Sequence, residues 1–193
     1  PAYSKGFIDT AREEMVENAR SIVPDAEHKD IVLIEPSDAV MFQSDALDLV
    51  PSDHEPRDYV EYLADNSYGL CEYLDAFRLD ENADWSGAGA FAYHGHCHQK
   101  ATKKDHHAVG VLRRAGYGVS PIDSTCCGMA GSFGYETEHY SMSREIGEQL
   151  AEQVAAQQCN RVVAPGAACR SQLESFDEEP VHPAVALDDA LPE

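Results

Sequence analysis

Residues 88–122 read AGAFAYHGHCHQKATKKDHHAVGVLRRAGYGVSPI, and this stretch decides the fold class. Ala88–His94 is a short apolar run, the signature of a buried strand. Ala101–Ala115 carries Ala101, Ala108, Val111, Leu112 and Ala115 on a helical pattern, with Gly116 as its C-terminal stop. Tyr117–Ile122 returns to strand. A strand, a helix-length crossover and a second strand imply parallel pairing through a right-handed connection.

The alternation continues on both sides. Downstream, Asp123–Tyr135 is a Gly- and Cys-rich loop, and a helix is expected over about Tyr140–Gln157, with Ile146, Leu150 and Val154 on one stripe. A strand at Arg161–Ala164 leads through the loop Pro165–Cys169 into a short helix ending near Leu173. Upstream, a helix is expected at about Phe7–Ile22, then a strand at Ile31–Ile34, a loop at Glu35–Asp38 and helices at about Ala39–Leu49 and Asp58–Phe77. The expected class is α/β with mostly parallel sheets. An internal repeat accompanies it: Ser4-Lys5-Gly6-Phe7 matches Ser132-Phe133-Gly134-Tyr135 at an offset of 132 − 4 = 128 residues. Each match precedes a long helix, a strand and a Pro-containing loop, and the same offset maps Met41 onto Cys169. Two similar strand–helix repeats are therefore expected, the chain beginning just after its own first Cys-Cys-Gly would have stood.

Composition narrows the function classes. The 193 residues carry 35 Asp plus Glu against 14 Lys plus Arg, a net charge of −21. Such a field repels a polyanion and argues against nucleic acid. No apolar run approaches the ~20 residues of a membrane span, and no secretion signal is visible. A cytoplasmic protein is expected, at most peripheral at the inner membrane face. An acidic, Lys-poor composition is also what a salt-adapted, halophilic proteome looks like.

Six cysteines are too few for a disulfide scaffold, so their placement decides their chemistry. Cys126 and Cys127 are adjacent and flanked by glycines that let backbone approach an inorganic centre and leave N–H groups free to bond sulfur. The plainer alternative is a Gly-rich turn holding two buried thiols. Cys97 stands at a strand-to-helix turn within Tyr93-His-Gly-His-Cys-His98. Strand alternation would put His94, His96 and His98 on the side opposite Cys97, and a solvent-facing His run is as good a reading of His96 as a ligand. Cys169 stands near a helix start, where the dipole favours a thiolate. Three Cys-bearing loops thus follow the carboxyl ends of three parallel strands, where doubly wound folds place ligands. Cys71 and Cys159 read as structural. Lys100, Lys103 and Lys104, with Arg113 and Arg114, either balance an acidic neighbour or form a positive rim near the centre. The GxGxxG dinucleotide fingerprint is absent.

His96-Cys-His-Gln-Lys-Ala101, Cys126-Cys-Gly-Met-Ala-Gly-Ser-Phe-Gly134, Gly166-Ala-Ala-Cys-Arg-Ser-Gln172 and His182-Pro183 resemble the cysteine-rich CCG domain. This domain is found in the iron–sulfur part of FAD-linked 2-hydroxyacid oxidases, in anaerobic glycerol-3-phosphate dehydrogenase and in heterodisulfide reductase. The resemblance implies that residues 1–85 are the remainder of a first CCG-type repeat and 86–193 a complete second one. It implies a unit that takes electrons from FAD on a partner domain or subunit and passes them to a quinone or other carrier. Such a unit belongs to a flavin-dependent oxidoreductase of lactate or glycolate type and is not catalytically complete alone. Where the fullest motif has Cys-x-x-Cys, this chain has Gly166 and Cys169, leaving Cys97, Cys126, Cys127 and Cys169. Four thiolates suit a [4Fe–4S] cluster or, alternatively, a structural Zn²⁺ in a docking module with no redox role. A thiol–disulfide catalyst is a weaker reading, because Cys-x-x-Cys is missing.

Overall fold

A computed structural model describes residues 2–26, 29–124, 126–159 and 161–192; Thr125, inside the Cys-rich loop, lies outside them. The chain divides into two compact units between Gly69 and Leu70.

The first unit contains α1 (Ile8–Ala26), β1 (Ile31–Leu33), α2 (Pro36–Val40), a π turn at Met41–Asp45, α3 (Ala46–Leu49), α4 (Arg57–Asn66) and β2 (Ser67–Gly69). β1 and β2 pair in parallel, Ile31 opposite Ser67 and Leu33 opposite Gly69. Met15, Val16, Phe42, Leu49, Val60 and Leu63 form the core of this unit. The expected continuous helix over Asp58–Phe77 is corrected here: it breaks at Ser67, and three residues become a strand. Pairing with β1 satisfies backbone groups that β1 alone would leave open, and this outweighs local helical preference.

The second unit opens with α5 (Leu70–Ala76), followed by β3 (Ala90–Tyr93), α6 (Cys97–Ala101), α7 (His106–Arg114), β4 (Gly118–Pro121) and α8 (Tyr140–Ala155). It ends with β5 (Arg161–Val163), α9 (Ala167–Glu174), β6 (Pro180–Val181) and α10 (Pro183–Asp188). The strand order is β4-β3-β5-β6, and every described pairing is parallel. The class is α/β, as the alternation of strands and helices requires. The expected helix over Ala101–Ala115 is shorter: it runs from His106 to Arg114 as α7, and Ala101 instead ends the separate helix α6. Lys103 adopts a left-handed φ of 58° between them, which stops α6 and restarts the chain at His106.

Alternation along β3 sorts the core into two layers. Phe91 and Tyr93 face Val111 and Leu112 of α7 and Leu187 of α10. Ala92 faces the other way, into a cluster with Leu150 and Val154 of α8, Leu173 of α9, and the side chains of Cys127 and Cys169. The sheet is therefore covered on both faces, as a parallel sheet demands. The chain leaves β3 toward β4 on one side, and after β4 it crosses back to β5 on the other side of β3. This reversal opens a crevice beyond the carboxyl ends of the central strands, the place where open α/β sheets bind ligands.

Candidate metal centre

Three loops empty into that crevice. The loop after β3 carries His94 and His96 and ends at Cys97, the first residue of α6; the loop after β4 carries Cys126 and Cys127; the loop after β5 leads to Cys169 in the first turn of α9. Cys127 and Cys169 are buried, Cys97 and Cys126 half-buried, and all are free thiols. Sγ of Cys127, Sγ of Cys169 and a ring nitrogen of His94 lie within 4.8 Å of one another. The Cys126 thiol hydrogen-bonds to Cys127, and Cys127 to Cys169, so three of the four sequence-predicted residues form one chain of thiols. Cys97 sits at the edge of this group, close enough to feel the charge of Cys126 but outside the three-donor set.

Backbone N–H groups are aimed at the sulfurs. Gly128 N–H donates to Cys126 Sγ at 3.3 Å, joined by Ala130 on the same sulfur, by Met129 on Cys127 and by His98 on Cys97. Gly128 makes this turn possible. Its φ is +93°, and a Cβ there would run into the Ser143 carbonyl of α8. Gln172 of α9 fixes the same helix by donating to Ser143 O at 2.7 Å.

Without a metal, every one of these four thiols for which a shift is resolved is held protonated. The Cys126 thiol is pushed up by its hydrogen bond to Cys127 and by burial. At Cys127 the bond from Cys126 acts downward. The bond to Cys169, burial and the neighbouring sulfur outweigh it, and the thiol is raised to about 12. Burial also raises Cys97. A metal ion entering the group displaces those protons, the usual coupling of thiolate ligation to proton release.

The histidines depart from the expected alternation. β3 ends at Tyr93, so His94, His96 and His98 do not share a strand face. His94 is 1% exposed and His96 is buried at 7%, which corrects the reading of His96 as solvent-facing; His98 is the exposed one. His94 Nδ1 is 2.7 Å from the Ser124 hydroxyl, whereas its Nε2 has no hydrogen-bond partner among the described residues. Burial, then Lys100 and His96, hold this imidazole neutral, with its pKa lowered to about 3. A buried nitrogen with no partner costs roughly 1–3 kcal/mol. The sequence names His94 only as one of three histidines beside Cys97, and it gives Ser124 no role of its own. The signal was present only as a His at the end of an apolar strand.

The donor set fits a metal centre: thiols, one neutral imidazole with an unused nitrogen, and backbone N–H groups turned toward sulfur. Lys100 reaches across to the loop, its ammonium donating to the Ser124 carbonyl, and with Ser124, Asp105 and Ile122 it lines a cleft beside the site. Two other basic residues of this region, Lys104 and Arg114, balance acidic neighbours, whereas Arg113 bonds a backbone carbonyl. Lys104 pairs with Glu72 at 2.6 Å, Arg114 with Asp75 and Asp80, and Arg113 donates to Val119 O. Cys71, on α5 in the opposite core layer, and Cys159, packed against the α8 cluster, lie outside the donor set.

Residues 91–174 match the cysteine-rich domain family designated CCG. Over 203 aligned residues the chain is 29% identical to one subunit of the anaerobic glycerol-3-phosphate dehydrogenase of Escherichia coli K12, covering 99% of this chain and 48% of that protein. It is 33% identical over 100 residues to the D-2-hydroxyglutarate dehydrogenase of Escherichia coli K12, and 37% identical over 83 residues to that of Haemophilus influenzae. Those two matches cover 49% and 42% of this chain, but only 10% and 8% of the relatives. The chain thus spans about half the length of the first relative and a tenth or less of the others. No helix among the described residues is long and apolar enough to cross a membrane.

Proposed function

Because residues 91–174 are a cysteine-rich domain of the CCG family, we propose that the chain is the iron–sulfur electron-transfer part of a flavin-linked dehydrogenase. Cys97, Cys126, Cys127 and Cys169 are the proposed ligands of a [4Fe–4S] cluster. The observation that carries this reading is the hydrogen-bonded group Cys126–Cys127–Cys169, with Cys97 at its edge, beyond the carboxyl ends of adjacent parallel strands. A bound cluster would supply one-electron chemistry. The chain's own part is to hold it, donate N–H bonds to its thiolates and keep it in a half-buried crevice; these are the levers that set its potential.

Electrons would arrive from FAD on a partner domain or subunit and leave to a quinone or other carrier, in the cytoplasm or at the inner membrane face. The proposed donor substrate is a small hydroxylated acid of lactate or glycolate type; the names of the relatives extend the class to 2-hydroxyglutarate and glycerol 3-phosphate. The two halves are proposed to be related by duplication. Each places a 3₁₀ turn (Tyr3–Lys5, Phe133–Tyr135) ahead of a long helix, a three-residue strand and a further helix, in support of the match at Ser4 and Ser132. A different course of residues 4–41 and 132–169 on superposition removes that proposal.

Anaerobic reconstitution with iron and sulfide tests the main reading. A brown protein is expected, with an EPR signal on reduction, and Cys126→Ser or Cys127→Ser should remove most of both. Hydroxyacids with an artificial acceptor should give no turnover until a flavin-bearing dehydrogenase is supplied. A colourless protein holding one tight Zn²⁺ would instead support the structural zinc module. That second reading is favoured by the three donors within 4.8 Å, a span suited to a single ion.

A further inference from the structure

The geometry points to His94 as a ligand of the same centre, a nitrogen donor through Nε2 beside the sulfurs of Cys127 and Cys169. The inference rests on the reading of this site as a metal centre, and it changes the donor set from all-sulfur to mixed sulfur and nitrogen.

Three observations carry it. First, a ring nitrogen of His94 and the two sulfurs lie within 4.8 Å of one another, and Nδ1 is already taken by Ser124. Two thiolates bound to one tetrahedral ion at about 2.3 Å stand roughly 3.8 Å apart, so little movement brings three such donors onto one ion. Second, the ring is already oriented. Ser124, from the loop that carries Cys126 and Cys127, holds Nδ1 at 2.7 Å, as outer partners of metal-bound histidines do. Third, Nε2 is buried with no hydrogen-bond partner among the described residues, although the ring is 1% exposed. A histidine serving only to fill the core would have both nitrogens satisfied or one at the surface. His96 also borders Cys169 across Gly166, but its ring is engaged with His98 edge-on at 5.1 Å.

X-ray absorption at the metal edge tests the assignment on the full chain, loaded with iron and sulfide and, separately, with Zn²⁺ alone. The expected spectrum contains one nitrogen at roughly 2.0–2.1 Å with the outer-shell scattering of an imidazole. That pattern should persist in His96→Ala and vanish in His94→Ala. If His94→Ala does not fold, retention of the pattern in His96→Ala, in His98→Ala and in a His106→Ala/His107→Ala double variant still assigns it to His94, because these remove the neighbouring imidazoles and the separate donor group of Asp75, His106 and His107. Ser124→Ala, which keeps the ring but frees Nδ1, should weaken metal binding on the order of tenfold or more. Metal bound through sulfur alone, or loss of the imidazole pattern in His96→Ala, overturns the role of His94 and leaves the metal centre standing. A chain that binds neither metal overturns both.

Discussion

Gly166 has no side chain, and the space where one would stand belongs to His96: a Cβ at this position would collide with the imidazole and come within 3.3 Å of Cys169 Sγ. The position that carries a thiolate in the fullest form of the motif is therefore filled here by a neighbour's ring. Gly166→Cys alone should destabilise the fold by about 1–3 kcal/mol, the usual cost of overpacking. In a His96→Ala background the same change should cost little, so urea midpoints of the two single variants and the double variant should be strongly non-additive. Additive midpoints would mean that His96 moves aside freely. Cys71 makes a contrasting case. Burial, then Asp80 and Asp75, raise its thiol to about 12 from an ordinary 9.0, which suppresses the reactive thiolate. Iodoacetamide at mild alkaline pH should label Cys71 only after denaturation. Rapid labelling of the native protein, located by peptide mass, would contradict this burial.

Between elements, α5 is fastened to α7 by charge as well as by packing. Asp75 accepts from His107 Nδ1 at 2.6 Å and from the Arg114 guanidinium, which also donates to the buried Asp80 at 2.5 Å. Burial pushes the Asp75 carboxyl upward, but the bonds from His107 and Arg114 outweigh it and hold it below the ordinary 3.8. A carboxyl lowered by folding contributes stability that is present above its unfolded value and lost as pH falls through its folded value. Asp75→Asn should therefore cost about 1 kcal/mol at neutral pH, and its gap from wild type should close as pH falls below the ordinary carboxyl value of 3.8. A gap of equal size at both pH values would show that Asn fails for reasons of shape rather than charge. The same elements show what the sequence made legible. The β3–α7–β4 unit stood out because its apolar periods switch cleanly from strand to helix and back. β2 was hidden because Ser67 and Gly69 carry no apolar signal and its pairing with β1 is non-local. β6 and α10 were hidden by Pro180 and Pro183, which here open an edge strand and the first turn of a helix. In the site, Cys126, Cys127 and Cys169 announced themselves by Gly-rich surroundings. His94 did not, because only the end of β3 at Tyr93 turns it away from a regular strand face.

Across the whole molecule, the charge of −21 sets a condition on stability that no single contact reveals. Salt acts on it in two directions. It weakens exposed pairs such as Arg78–Glu81 and Arg161–Asp189, and it screens repulsion among 35 acidic side chains that only 14 basic ones can offset. Exposed pairs contribute at most about 1 kcal/mol each, and the basic residues are too few to balance the field, so repulsion dominates. Added NaCl should raise the thermal midpoint steeply at first, because the screening length falls from about 10 Å at 0.1 M to about 3 Å at 1 M. Beyond roughly that concentration screening is spent, and any further gain should be shallow and larger for sulfate than for chloride, the mark of general burial effects. Scanning calorimetry of the full chain over both salts separates the two regimes. A midpoint that falls with the first additions of NaCl would show that ion pairs outweigh repulsion, and the acidic composition would then lose its interpretation as adaptation to salt.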